Sequence, residues 1–565
     1  MTTTDDPYGA TIPRDVTGLL ASMGDVLTAA DVHVARRLGA IGGEDDERVL
    51  LAAALAVQAL RSGSVCVVLD DGTWPAVEGW HEAIRRSPLV ADGPDGQADR
   101  PLRWVDGRVY LDRYWRDEQT VRAAMHDRLS RPATADADAL DAAVDRLYPS
   151  ATDAAQREAL RTAATSHLMV LTGGPGTGKT TTVARLVAAL QAAAGPHLRV
   201  ALAAPTGKAA ARLQESVNAE VALLGAEDVG RVRATTVHRL LGWRPGTTTR
   251  FRHDRLRRLP HDVVIVDESS MVSLSLMARL VEALRPTARL VLVGDPDQLA
   301  SVEAGAILSD LVAALPRGVV RLTQAHRYGP ALAALAEAIR AGDAETTLAL
   351  LRSGDEHREL IEPADERLSA QDVAGLRSDL ETSGHALAAA ARDGDAASAL
   401  RALGTHRLLL AHREGPFGVA HWAATAEAWI GSGPGVWPLG RPLLVTENDR
   451  ASGLYNGDTG VVISDRLGGV VVAFGEPEDP RLVRPYRLPA VQPVHAMTVH
   501  RGQGSQFHRV TLLLPPDTSP LLTRELLYTA VTRAREHVRV IGTEDAIRAA
   551  VERPVRRASG LREPR

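Results

Sequence analysis

The sequence predicts an α/β protein built on parallel sheets with crossover helices, and three observations carry that prediction. First, apolar stretches of strand length, Leu168 to Thr172, Val200 to Ala204, Val263 to Val266 and Arg289 to Val293, are each followed by a turn and a helical period. That alternation is the pattern of a parallel sheet. Second, a glycine-rich turn, Gly173-Gly174-Pro175-Gly176-Thr177-Gly178-Lys179-Thr180, joins the first of these strands to the helix after it. Third, a second alternating region opens at His406 to Ala411 and resumes with Val510 to Leu514 and Arg539 to Gly542, on either side of a β-rich block at about 440–489.

Composition bounds the class. With 565 residues, 45% hydrophobic and 24% charged, the chain is too long for one core, and three or four domains are expected. No apolar run reaches the roughly 18 residues that cross a bilayer, and the acidic, Thr-rich start is no signal peptide. One cysteine, Cys66, excludes a disulfide framework and a structural zinc site. Membrane, secreted and fibrous classes drop out, and a cytoplasmic multidomain protein is the expectation. The net charge of −5 means that any nucleic-acid contact must use local basic patches.

Of the 65 basic residues only two are lysine, Lys179 and Lys208; the other 63 are arginine. A chain so biased towards arginine keeps lysine where a compact ammonium must fit and a planar guanidinium cannot.

Taken in order, residues 1–150 show short helical patterns and hold four of the eight tryptophans, Trp74, Trp80, Trp104 and Trp115. Within them Val65 to Leu69 reads as a buried strand and Arg108 to Trp115 as an aromatic strand or helix start. Arg131 to Asp141 reads as a linker or weak helix. Residues 331–400 are Ala-rich and helical, with little β signal. In the β block, Asn456-Gly457 and Gly468-Gly469 predict hairpin turns. The segment from Arg553 holds five arginines and two prolines, a composition that predicts a disordered tail over 551–565.

The glycine-rich turn is the phosphate-binding loop in its required strand–helix context. Backbone N–H groups of Gly174, Gly176, Thr177 and Gly178, with Pro175 shaping the loop between them, would turn around a β-phosphate at a helix N-terminus that favours anions. Lys179 should reach the β- and γ-phosphates of ATP, and Thr180, with Thr181 beside it, should lie at the Mg²⁺. Val263 to Val266 ends in Asp267-Glu268. Asp267 is placed to hold the Mg²⁺ shell and Glu268 to polarise the attacking water. Gly294-Asp295-Pro296-Asp297-Gln298 caps another strand, and Gln298 could sense the γ-phosphate.

Further elements follow in order: Ala204-Pro205-Thr206-Gly207-Lys208, Thr236-Val237-His238-Arg239, Gln324-Ala325-His326-Arg327-Tyr328, Ala496-Met497-Thr498-Val499-His500-Arg501-Gly502-Gln503-Gly504-Ser505 and Tyr528-Thr529-Ala530-Val531-Thr532-Arg533-Ala534-Arg535. The ordered set, over residues 156–540, resembles superfamily 1 helicases and, within them, the RecD subunits of RecBCD helicase–nucleases.

The resemblance implies two RecA-like P-loop NTPase motor domains with ATP and Mg²⁺ between them. Residues 151–330 would form the first, and 331–436 with 496–550 the second. An SH3-like β insertion is implied at 437–495, and a mixed, mainly helical, partner-docking N-terminal domain at 1–150; its aromatic residues suit either a docking surface or a core. By position, Gln156 resembles the adenine-reading glutamine, and Arg327 and Arg533 resemble arginine fingers. Pro205, Thr206, Lys208, His238, Thr498 and His500 resemble residues along a single-strand track.

The family's His-Lys-Ser-Gln-Gly-Ser-Glu stands here as His500 to Gln506, with Arg501, Gly502 and Gln506 as departures. The basic stretch at 243–260, with Arg250, Arg252, Arg255, Arg257 and Arg258, matches the position of a duplex-splitting pin or is a solvated loop. The implied function is an ATP-dependent 5′→3′ DNA helicase that works with RecB-like and RecC-like subunits in a heterotrimer. It would act on single-stranded DNA and duplex ends, with any nuclease in a partner. A stand-alone 5′→3′ helicase and a non-catalytic nucleotide-gated adaptor are the alternatives.

Overall fold

The computed structural model describes residues 12, 16–195, 197–224, 232–244, 250–323, 329–431, 435–449, 452–465, 468–488 and 490–563. Four sheets organise them. The first motor sheet has six parallel strands in the spatial order Val319–Leu322, Leu168–Gly173, Arg289–Gly294, Val263–Val266, Val200–Ala204 and Ala234–Thr236. Its inner strands are apolar along their length because helices cover both faces. Val263, Val264, Ile265 and Val266 are each fully buried.

A second sheet has five parallel strands, in the order Arg358–Ile361, Ala534–Ile541, Phe507–Leu513, His406–Leu410 and Ala496–Thr498. The strand Arg358–Ile361 breaks the Ala-rich stretch that reads as helical. It is a four-residue edge strand, Arg-Glu-Leu-Ile, and among the described residues it pairs only with Ala534–Ile541. Two parallel α/β sheets bear out the fold class expected from the strand–helix alternation.

Between helix Val419–Ile430 and strand Ala496–Thr498 the chain makes a five-stranded sheet, antiparallel at every pairing, over Pro442–Pro493. Asn456-Gly457 turns one hairpin of it and Gly468-Gly469 the next.

The N-terminal region forms a four-stranded mixed sheet, Cys66–Val68, Arg108–Leu111, Leu102–Val105 and Val90–Asp92, beside helices Ala29–Gly42 and Glu47–Arg61. Cys66–Val68 is the strand read in Val65 to Leu69. Arg108 to Trp115 is both things it could be, a strand to Leu111 and then a helix over Asp112–Ser130. The segment read as a linker or weak helix passes into Ala137–Leu147, a helix whose Asp136 cap accepts from Ala139 N–H at 3.0 Å.

One open reading is decided here and one expectation is corrected. The tryptophans do not form an outward docking surface: Trp80, Trp104 and Trp115 are buried, and Trp74 is half-buried with its Nε1–H given to Val68 O at 2.9 Å. Trp115, Val121 and Met125 share one buried cluster with Val264, Leu290 and Leu292 of the first motor sheet. Asp117 on the same helix accepts from Ser275 Oγ at 2.7 Å and from Arg279 at 2.5 Å. Trp115 therefore completes the motor's own core, while Trp80 and Trp104 are buried in a separate cluster within the N-terminal region.

The described part of the basic tail, to Glu563, is ordered and packed. Leu561 is buried in that same cluster. Val65 N–H donates to Ala558 O at 2.7 Å, Gly560 N–H to Glu118 Oε2 at 2.9 Å, and Arg557 to Ser301 O at 2.7 Å. Arg553 and Arg557 give guanidinium N–H groups to backbone carbonyls, while Arg556 and Arg562 are exposed. Among the described residues, no helix is long and apolar enough to cross a membrane.

Candidate nucleotide cleft and strand track

The phosphate loop is shaped by its glycines. Gly176 and Gly178 hold φ of +80° and +82°, a region where glycine alone is unstrained. A Cβ at Gly173 would lie 2.6 Å from Thr177 Oγ1 and 2.8 Å from Leu322 O, so the loop is also closed by contact. Beyond Gly178 the 16-residue helix Lys179–Ala194 opens towards the cleft. Lys179 Nζ donates to Gly173 O at 2.6 Å and Gly174 O at 2.9 Å, folded onto its own loop. Thr180 and Thr181 follow at the helix start, both half-buried.

Opposite, Asp267 leaves the end of Val263–Val266. It is buried, and its Oδ1 accepts from Glu268 N–H at 2.9 Å. Burial, and then the neighbouring Glu268, push its carboxyl well above the usual range. Glu268 sits at φ +50°; among the described residues only Asp106 is another non-glycine with positive φ. Strain of this kind collects at functional sites.

One recess of the cleft is lined by Gly178, Lys179, Thr180, Asp267 and Glu268 from the first sheet and by Gln506 and Arg533 from the second. The other side of the loop, past Thr177 and Asp295, opens to Arg321, Arg340 and Tyr528. Gln156 is buried on the helix Ala154–Thr165 and lines neither recess.

A chain of hydrogen bonds ties the two sheets together. Tyr528 OH donates to Asp295 Oδ2 at 3.2 Å, and Gln298 Nε2 donates to the same oxygen at 2.8 Å. Arg533 then donates to Gln298 Oε1 at 3.1 Å and to Thr529 O at 3.0 Å. Asp295, Gln298 and Arg533 are all buried. Asp295 thus holds both Gln298 and Tyr528 in place. Arg327 lies outside the described residues.

The residues expected along the strand track stand at the carboxyl ends of strands in both sheets. Pro205 and Thr206 follow Val200–Ala204, and Thr206 Oγ1 caps the next helix by accepting from Ala209 N–H at 3.2 Å. His238 is exposed, its ring 6.0 Å from that of Phe251. Thr498 is buried, and its Oγ1 accepts from Arg501 N–H at 3.3 Å. His500 is half-buried and borders an open groove with Leu299, Arg553 and Arg557. Lys208 departs from the expectation. Its half-buried side chain crosses to the other units, donating to Gly457 O at 3.1 Å and Ser505 Oγ at 2.7 Å.

Arg250, Arg252, Arg255, Arg257 and Arg258 are exposed around the exposed Leu256, beside a single bridge between Trp243 and Phe251. Residues 245–249 lie outside the described ones.

Sequence reasoning missed Arg212, quoted Tyr528 without giving it a role, and mentioned Gln506 only as a departure. Arg212 lines the recess of Asp267 and Glu268. The signal was present, since it lies one helical turn after Lys208.

The sequence matches three family descriptions: the AAA domain over residues 151–360, the UvrD-like helicase C-terminal domain over 493–541, and the RecBCD enzyme subunit RecD, N-terminal domain, over 24–77. It is 50% identical over 563 residues to the RecBCD enzyme subunit RecD of Mycobacterium tuberculosis (strain CDC 1551 / Oshkosh), covering 95% of this chain and 94% of that protein. The protein of the same description from Mycolicibacterium smegmatis is 50% identical over 567 residues, covering 96% and 98%. The ATP-dependent RecD2 DNA helicase of Deinococcus radiodurans is 34% identical over 467 residues, 81% of this chain and 58% of that one. With half of its residues identical to such subunits over nearly the whole length of both, the chain belongs to the RecD family.

Proposed function

We propose that this chain is the ATP-dependent 5′→3′ DNA helicase subunit of a RecBCD-type complex, which processes double-strand DNA ends for recombinational repair. The observation that carries the motor reading is Arg533. It comes from the second sheet, is buried, and is bonded to Gln298 beside the phosphate loop of the first. An arginine delivered across a cleft is the element that makes hydrolysis depend on how two lobes sit.

The residues of the cleft fit ATP with Mg²⁺. A glycine cradle opens at a helix start, and the buried Asp267 faces it with its acidity weakened by burial, a state that a divalent cation would reverse. Thr180 and Asp267 would hold Mg²⁺, which when bound draws charge from the β- and γ-phosphate oxygens. Lys179 would exchange its two carbonyl partners for those oxygens. Glu268 would orient the attacking water and accept its proton, and Arg533, with Arg327, would neutralise the charge that develops on the γ-phosphate. Gln298 links that event to Asp295 and Tyr528. Thr206, His238, Thr498 and His500 would contact the DNA backbone, where hydroxyls and imidazoles make bonds that can be broken at each step.

RecB-like and RecC-like partners, with any nuclease among them, are supported by the match of residues 24–77 and by the two mycobacterial relatives. The intact set Lys179, Asp267, Glu268 and Arg533 speaks against a non-catalytic adaptor. The test is purification of the tagged chain from its native cell, followed by unwinding assays. Two large co-purifying subunits, one with nuclease activity, and unwinding of a 5′-tailed but not a 3′-tailed duplex by this motor are the expected results. A chain that purifies alone and unwinds DNA would be a stand-alone helicase instead, and a 3′→5′ preference would remove the polarity assignment.

A further inference from the structure

Lys208 is the second of only two lysines, and the phosphate loop does not use it. It stands at the start of helix Gly207–Leu224 in the first motor unit. One of its acceptors, Gly457 O, belongs to a hairpin turn of the antiparallel insertion, and the other, Ser505 Oγ, to the loop before Phe507–Leu513 of the second sheet. The first motor unit, the β insertion and the second motor unit therefore meet at one ammonium.

Both acceptors stand on turns that other hydrogen bonds also hold. Gly457 holds φ +96°, and its N–H donates to Val445 O at 2.9 Å. Tyr455 N–H donates to Asp458 Oδ2 at 2.8 Å, and Asp458 N–H to Tyr455 O at 2.9 Å, so the turn is braced from within. Ser505 is buried, and its N–H donates to Gly502 O at 3.0 Å. The surfaces also meet closely beside the lysine: a Cβ on Gly207 would lie 2.5 Å from the ring of Tyr455. Only glycine lets that ring approach.

The contact reaches the chemistry in one step. Ser505 O accepts from Arg533 at 3.4 Å, and Arg533 donates onward to Gln298. We propose that Lys208 is a positioning residue, a latch that closes the β insertion and the second sheet onto the first and thereby seats Arg533 at the phosphates. This rests on the motor reading above. A point-like ammonium can serve two acceptors in such a gap, whereas a planar guanidinium presents its donors in a fixed fork. Burial of the ammonium, and then the neighbouring Arg212, push its pKa down to about 8, against the opposing pull of the Asp458 carboxylate.

The test uses the full-length chain and three variants, Lys208→Met, Lys208→Arg and Gly207→Ala. Gly207→Ala wedges Tyr455 away while leaving every charge in place. DNA-stimulated ATPase and single-strand affinity are measured as functions of ATP, DNA and salt. The latch predicts that all three variants lower kcat at saturating DNA about tenfold or more. The KM for ATP, the single-strand affinity and the slope of log affinity against log salt should stay at wild-type values.

If Lys208→Met instead has normal kcat at saturating DNA, weaker binding and a salt slope reduced by roughly one, Lys208 is a phosphate contact and the latch is wrong. Wild-type kcat in Lys208→Arg or in Gly207→Ala overturns it as well. Should Lys208→Met fail to fold, the other two variants decide. Failure of the motor reading would look different, since the wild-type chain itself would then show no DNA-stimulated ATPase.

Discussion

Removing residues 554–565 should unfasten the N-terminal region from the motor, and the structure sets the size of the effect. Leu561 is buried against the cluster of Tyr110, Trp115 and Val264, and losing that burial costs about 1.5–3 kcal/mol. Glu118 loses Gly560 N–H at 2.9 Å and Ser559 Oγ at 3.2 Å, and an acceptor left buried without partners adds roughly 1–3 kcal/mol. Water entering the vacated groove would hydrate the Glu118 carboxyl, so the second contribution belongs at the low end. A total near 3 kcal/mol corresponds to about a hundredfold rise in local opening at 1.4 kcal/mol per decade. Amide hydrogen exchange read by mass spectrometry on the full chain gives the measurement, with peptides from Cys66–Val68 and Asp112–Ser130 rising together and those from Phe507–Leu513 unmoved. Exchange in the first two segments within about twofold of wild type would refute the reasoning, because the tail contacts would then carry no net free energy.

Lys179→Ala should abolish DNA-stimulated ATP hydrolysis, and Lys179→Arg should be severely impaired, since lysine persists here among 63 arginines; steady-state ATPase reads both, and wild-type turnover in the arginine variant would sink the composition argument. Glu268→Gln should bind ATP and single-stranded DNA normally yet hydrolyse roughly 10²-fold more slowly, the loss expected for a general base; single-turnover assays separate this from a binding defect. A fragment beginning at Ala151 should be insoluble, because Trp115, Val121 and Met125 leave an apolar face of the first motor sheet exposed. A soluble, monomeric fragment by size-exclusion chromatography would show that face to be dispensable.

The phosphate loop, Asp267-Glu268 and the strands around them were legible because their chemistry is local. A glycine run between a strand and a helix specifies its geometry within ten residues, and carboxylates at a strand end declare themselves. The tail was not legible. One apolar residue, Leu561, anchors it, and Arg553 and Arg557 give their guanidinium N–H groups to distant carbonyls such as Ser519 O and Ser301 O. Nothing within the tail distinguishes those arginines from solvated ones. The tryptophans stayed open for a related reason: aromatic residues suit interfaces and cores alike, and only the packing of Asp112–Ser130 on Leu274–Ala283, for Trp115, and the N-terminal cluster, for Trp80 and Trp104, decides between them. Lys208 was legible as an oddity of composition but not in its direction, since its partners lie about 250 and 300 positions away. Arg358–Ile361 was hidden because a short charged edge strand carries almost no periodicity.

The left-handed backbone at Glu268 sets stability and chemistry against each other at a single position. Holding a non-glycine residue there costs about 1–2 kcal/mol. Glycine would relieve that cost, and selection for robustness alone would favour it. It would also delete the carboxylate that lines the recess beside the glycine loop, the group proposed to activate water. A search for heat-resistant variants of this chain would therefore be drawn to position 268 and would find there proteins that endure longer and do nothing, the trade that natural sequences strike at working sites.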